Sequence, residues 1–98
     1  MLNIEVEDYN EMNEFMREQK TLFFVNLIMC VEKGWREDSD VIVIAKFTLK
    51  GSGNTLSISI DQEDWYELIY IALYHFERVE EYEYCAEVNN LIKKMYDE

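Results

Sequence analysis

The stretch TLFFVNLIMCVEKGWR, Thr21–Arg36, contains the longest apolar run in the chain, Leu22–Val31, interrupted once by Asn26. A run this continuous fits a buried strand as well as a buried helix, because periodicity vanishes when every side is apolar. Two features favour the helix. The series Phe24, Ile28, Val31, Trp35 and Phe23, Leu27, Cys30, Gly34 carry helical spacing past the end of the run. Leu, Met and Phe also outnumber β-branched residues within it, as a helix prefers. Residues 21–36 therefore read as a buried helix.

The flanks follow from that reading. Met1–Glu7 alternates weakly, as an edge strand or a loose arm would, and Asp8 offers a helix cap with Glu11 three residues later. Met12, Phe15, Met16 and Gln19 continue at helical spacing. Downstream, Val41–Leu49 is rich in Val and Ile, Thr55–Ile60 alternates as TLSISI, and the segment from Gly51 to Asn54 reads as a hairpin loop. One face of this hairpin is expected to be buried and the other wet.

Asp61, with Asp64 three residues on, marks the cap of the next helix, where Trp65, Leu68, Ile69, Ala72, Leu73 and Phe76 form an apolar stripe. A last helix begins near Glu80 and turns Cys85, Val88, Leu91, Ile92 and Met95 inward. It ends on Lys93 and Lys94, where cations suit the dipole. The short link Glu77–Glu80 makes these two helices an antiparallel hairpin. The expected class is α+β: helix-helix, β-hairpin, then a C-terminal antiparallel helical hairpin.

The 98 residues suit one small domain with a modest stability margin. A hydrophobic fraction of 49% is too high for a disordered acidic segment, despite a formal charge of −12. The start, MLNIEVEDYN, lacks the basic and apolar regions of a signal peptide. No apolar run is long enough to cross a bilayer, and an anionic lipid surface would repel the chain. Cys30 and Cys85 read as small buried hydrophobes in a reducing cytoplasm, with a disulfide between them as the less favoured alternative.

The charge is segregated. Residues 1–20 carry six acids against Arg17 and Lys20, and residues 61–98 carry eleven against Arg78, Lys93 and Lys94. Residues 21–60 hold four acids and four bases, which cancel. A field of this size repels phosphate and attracts basic partners. The nine scattered cations form no stripe, so direct nucleic-acid binding is not expected. Two readings of the acidity remain: carboxylates standing where phosphates would lie in a basic groove, or a solvated face that keeps the chain soluble.

Tyr66, Tyr70 and Tyr74 fall at i, i+4 and i+8, opposite the Trp65 stripe, with Ile71 beside them. Such a helix is either central to the fold or presents one stripe as an interface, and tyrosine suits an interface. Glu63, Glu67, Glu77 and Glu81 would rim that patch.

Catalytic signals are thin. His75 is the sole histidine, with only Cys30 or Cys85 as a partner for nucleophilic chemistry. Two cysteines and one histidine do not make a zinc site, and no glycine-rich phosphate loop or calcium loop is present. No cofactor, metal site or enzymatic activity is expected.

The segment FERVEEYEYCAEVNNLIKKM, Phe76–Met95, resembles the helical UVR motif of nucleotide-excision-repair proteins through Glu80, Glu81, Tyr82, Glu83, Ala86 and Ile92. Cys85 stands where a second alanine is common, and Val88, Asn89 and Asn90 depart from the usual Leu-Arg-Asp. The same residues resemble the turn of a tetratricopeptide hairpin. Both resemblances imply hairpin geometry, with Tyr82 and Ala86 packing at the hairpin, and protein–protein contact at most.

The functional expectation is a non-enzymatic, cytoplasmic interaction protein that binds a basic, nucleic-acid-binding protein and regulates or inhibits it. Inhibitors carried by phages and mobile elements against host defence are of this small acidic type, and nucleic-acid mimicry is one mode of action. The partner-binding residues are expected to be Glu63, Glu67, Tyr70, Tyr74, Glu77 and Glu81. The alternative is a self-associating module with a tyrosine-lined homodimer interface.

Overall fold

The computed structural model describes residues 1–96. Its elements run β1 (Leu2–Val6), α1 (Tyr9–Glu18), α2 (Lys20–Arg36), β2 (Val41–Leu49), β3 (Asn54–Asp61), α3 (Trp65–Arg78) and α4 (Tyr82–Tyr96). The fold is α+β, with α1 and α2 in succession, a β-hairpin and a C-terminal antiparallel helical hairpin. Among the described residues no helix is long and apolar enough to cross a membrane.

The segment 21–36 is helical and buries Leu27, Ile28, Val31 and Gly34. Trp35, which the helical series places inward, is instead 37% exposed, because Gly34 takes the buried position against Trp65. Residues 2–6 form an edge strand, parallel to β2, in a sheet of order β1-β2-β3. A parallel pair needs a crossover, and α1 with α2 supplies it.

Side chains of one sheet face line up in rows, Leu2–Ala45–Ile58 and Ile4–Phe47–Leu56, beneath the helices. The opposite face has the polar rows Asn3–Lys46–Ser57 and Glu5–Thr48–Thr55 and continues past the bulge as Val43–Ser59 and Val41–Asp61. Val43 pairs with Ser59 and Ala45 with Ile58, which leaves Ile44 as the extra residue of a β-bulge. The apolar alternation of β2 changes phase at the same point, from Ile42 and Ile44 to Ala45, Phe47 and Leu49. The bulge absorbs that slip, so Ile44 and the later set are all buried. In a regular strand Phe47 and Leu49 would turn to the wet face.

Asn26 belongs to the same device. Its Nδ2 donates to the Ile44 carbonyl, and Cys30 Sγ donates to its Oδ1 at 3.7 Å. The one polar break in the apolar run thus satisfies backbone at the bulge, where an unpaired carbonyl would be costly. Both cysteines are free thiols.

Two hydrophobic clusters result. The larger joins α2, α3 and α4 to Ile44 and is centred on Leu27, Val31, Trp65, Ile69, Phe76 and Val88. The smaller packs Met12, Phe15 and Met16 of α1 over Val6, Ala45, Phe47 and Leu49. Phe15 meets Phe47 edge to face with ring centroids 5.9 Å apart. Ile58 touches both clusters.

Helix ends show where the local readings hold. Asp8 caps α1, accepting from Glu11 N–H at 2.9 Å, while Glu11 Oε2 reaches back to Glu7 N–H at 3.0 Å. Asp61 does not cap α3 in this way. The chain passes through a 3₁₀ turn at Gln62–Asp64, and neither Asp61 nor Asp64 makes a side-chain cap bond. Their charges still lie at the positive end of the dipole.

Helices α2 and α3 both end in left-handed residues, Asp38 at φ 57° and Glu80 at φ 61°. Beyond them Ser39 N–H donates to Gly34 O and Glu81 N–H to Phe76 O, each at 2.9 Å, closing Schellman motifs. The packing implied by the hairpin resemblance is not found. Tyr82 and Ala86 are exposed, and the hairpin closes through Tyr84, whose ring lies 5.1 Å from Phe76, and through buried Cys85 and Val88. The reason is phase: α4 turns residues 84, 85 and 88 toward α3, which leaves 82 and 86 on its outer side.

Candidate functional site

Helix α3 buries Trp65, Ile69, Ala72 and Phe76 along one side. At 3.6 residues per turn this places Tyr66, Tyr70, Ile71 and Tyr74 on the outer side. All four are exposed, Tyr74 most of all at 63%. The tyrosine stripe is therefore surface and not core.

Its rings are ordered against one another. Tyr66 and Tyr70 lie 4.7 Å apart between centroids, and Tyr96 of α4 meets Tyr66 edge to face at 4.9 Å. The sequence reading missed Tyr96; its position in the last turn of α4, across an antiparallel hairpin from the first turn of α3, was the available signal. Burial beside the hairpin and the neighbouring Tyr66 push the Tyr96 hydroxyl pKa up. It is therefore protonated, and a donor, at neutral pH. Arg78 stacks toward the Tyr74 ring with Cζ 5.8 Å from the centroid.

Tyr66, Glu67, Tyr70, Ile71 and Tyr74 border a shallow groove of about 510 Å³. Of the expected partner-binding residues, Glu67, Tyr70 and Tyr74 meet there, while Glu63 lies in the preceding 3₁₀ turn, Glu77 in the last turn of α3 and Glu81 just beyond it. All six are exposed. Glu77 also faces the hairpin: its charge adds to burial in raising the Cys85 thiol pKa.

His75 points away from this face. Its Nε2 lies 2.8 Å from Thr21 Oγ1 and its ring 5.0 Å from Phe24, both on α2. Burial lowers its pKa, and Lys20 and Arg78 lower it further. It packs as a neutral ring between helices, on a different side of α3 from the tyrosines. Asp61, Glu63 and Asp64 can bring carboxylate oxygens within 4.8 Å of one another, and all three are exposed. Their placement at the start of α3 accounts for them through the helix dipole.

Chemically the α3 face offers flat aromatic area, phenol hydroxyls and flanking carboxylates. Such a surface accepts cations and apolar side chains. No family model, curated protein or solved structure matches the chain.

Proposed function

We propose that this protein binds a basic protein across the exposed face of α3 and so regulates or blocks it. The observation that carries the reading is the solvent exposure of Tyr66, Tyr70, Ile71 and Tyr74 as one contiguous stripe with acids around it. Aromatic side chains left in water on a chain this small favour a partner. The eleven acids of residues 61–98 set its sign. Long-range attraction speeds encounter with a cationic surface and weakens as salt rises. A nucleic-acid-binding protein supplies such a surface, and carboxylates on α3 and α4 then compete with phosphate for its groove. The reading is non-enzymatic.

Self-association through the same tyrosines is the rival, and salt separates the two. Two copies each carrying −12 repel, so added salt strengthens a homodimer and weakens a complex with a basic partner. The test captures partners on immobilised protein at low salt and repeats the capture with Glu77→Lys/Glu81→Lys and with Tyr70→Ala/Tyr74→Ala. A nucleic-acid-binding protein held by wild type, shed at high salt and lost from both variants is the expected result. Equal retention by the variants refutes the site, and a mass that grows with concentration and salt in sedimentation favours the homodimer.

A further inference from the structure

A second groove, of about 550 Å³, runs between α1 and the outer edge of β1. It belongs to the half of the fold built around Phe47 and Phe15, apart from the cluster that supports α3. One wall is backbone. Lys50 N–H donates to Val6 O at 2.8 Å, so Val6 turns its peptide groups toward β2. Peptide groups alternate in direction along a strand, and those of Asn3 and Glu5 therefore face outward. Among the described residues no strand pairs with that side.

The other wall, from α1 and its cap, is acidic. Asp8, Glu11, Glu14 and Glu18 line the groove there, and no Lys or Arg does. Asp8 and Glu11 are engaged in capping α1, and Glu5 lies 3.6 Å from Lys50. Glu14 and Glu18 are exposed and make no ion pair among the described residues. They sit four residues apart on α1, a rise of ~6 Å, while alternate residues of an extended strand are ~6.6 Å apart. A strand laid along β1 can therefore offer one cation to each.

We infer that this groove takes an extended Lys/Arg-bearing segment of a partner protein, which adds to the outer edge of β1 as a fourth strand and sets alternate cations against Glu14 and Glu18. Backbone pairing supplies the register and the two carboxylates select for charge, a division familiar in strand addition. Natural edges are commonly guarded by lysine, proline or a bulge. β1, with the sequence LNIEV, has none of these; its one charge, Glu5, is an acid that a cationic strand does not oppose, and the bulge lies on β2.

The probe is a fluorescent peptide of about nine residues alternating Arg with Thr, a usual strand length, titrated into the full chain. Three comparisons use the same charge: a peptide with its arginines in one block, a peptide N-methylated at every second amide, and the alternating peptide against Glu14→Lys/Glu18→Lys. The alternating peptide is expected to bind best, with N-methylation weakening it roughly tenfold at every salt concentration. The double reversal is expected to weaken it at least tenfold at low salt and less at high salt. Asn3→Pro removes one outward N–H and should cost about fivefold; should it unfold, the N-methylated peptide still tests the backbone bonds. Tyr70→Ala/Tyr74→Ala should leave this binding unchanged, which separates it from the α3 reading. Equal binding of the block or N-methylated peptide overturns strand addition. Absence of binding overturns the site, as does a peptide lost on the α3 substitutions.

Discussion

Gly34→Ala tests the junction on which the larger cluster depends. A Cβ at Gly34 would stand 2.5 Å from Ile42 Cγ2 and 3.1 and 3.3 Å from two ring carbons of Trp65. Carbon atoms pack best at about 3.5–4.0 Å, so α2 must move away from β2 and α3 by about 1 Å. Neither neighbour yields cheaply. The isoleucine is β-branched and stiff at χ1, and Trp65 is 1% exposed. Two effects compete: alanine gains about 1 kcal/mol of helix propensity over glycine, while overpacking costs about 1–3 kcal/mol. With three elements meeting at one point we place the cost at the upper end. The net loss is then about 1–2 kcal/mol, or roughly 5–15 °C in Tm for a domain of this size. Urea unfolding reads it as a lower midpoint with an unchanged slope. Ile42→Ala removes the clashing methyl, so Gly34→Ala made in that background should cost at least about 0.5 kcal/mol less than in wild type. A raised midpoint for Gly34→Ala, or effects that add within about 0.3 kcal/mol, would refute the packing argument.

Two further outcomes follow from local geometry. Glu80→Gly should stabilise the chain by about 0.5–1 kcal/mol, since glycine holds φ 61° without the Cβ penalty; Asp38→Gly should gain less, aspartate being better tolerated there. An unchanged or lower Tm for Glu80→Gly counts against the Schellman assignment. His75, as the sole histidine, gives one proton resonance to titrate, expected below its ordinary value of 6.5 because burial, then Lys20 and Arg78, disfavour the cation. The unfolded chain then binds that proton more readily, so stability from neutral His75 is complete above pH 6.5 and is lost as pH falls through the folded value. His75→Gln should remove this component, and a midpoint at or above 6.5 contradicts the packing against α2.

How far the sequence carried the fold can be judged from single elements. The helical reading of 21–36 rested on spacing that outran the apolar run, and Leu27, Ile28 and Val31 bear it out. Its last member failed at Trp35, since a series alone does not reveal that a glycine next door admits another ring. The left-handed ends at Asp38 and Glu80 were hidden because neither is glycine. The parallel pairing of β1 was beyond local reading, as it depends on contacts more than forty positions apart, such as Leu2 with Ala45. The bulge was present in the letters: VIVIAKFTL changes apolar phase between Ile44 and Ala45, and Asn26 supplies the side chain that serves it. The tyrosine stripe was legible as a face; its exposure was not, because either side of α3 is apolar enough to be core.

If a cationic partner is bound as proposed, the acids serve more than solubility, and their distribution can be compared with that reading. A demand for solubility falls on every wet surface, and the open side of the sheet is one of them. That side carries Asn3, Val41, Val43, Thr48, Thr55, Ser57 and Ser59, with only Glu5, Lys46 and the terminal Asp61 charged. The excess negative charge is instead held by the helices and the turns beside them: α1 and its cap on one side of the molecule's sequence, the start of α3 and the α3–α4 link on the other. Between these, residues 21–60 are neutral in sum and supply seven of the fifteen buried hydrophobic side chains among the described residues. Few charges stand on that exposed surface, while Glu67 lines the groove of the tyrosines and Asp8, Glu11, Glu14 and Glu18 line the one at the open strand edge. Each groove pairs a neutral binding feature with carboxylates, the combination that rewards a cationic chain over a neutral one.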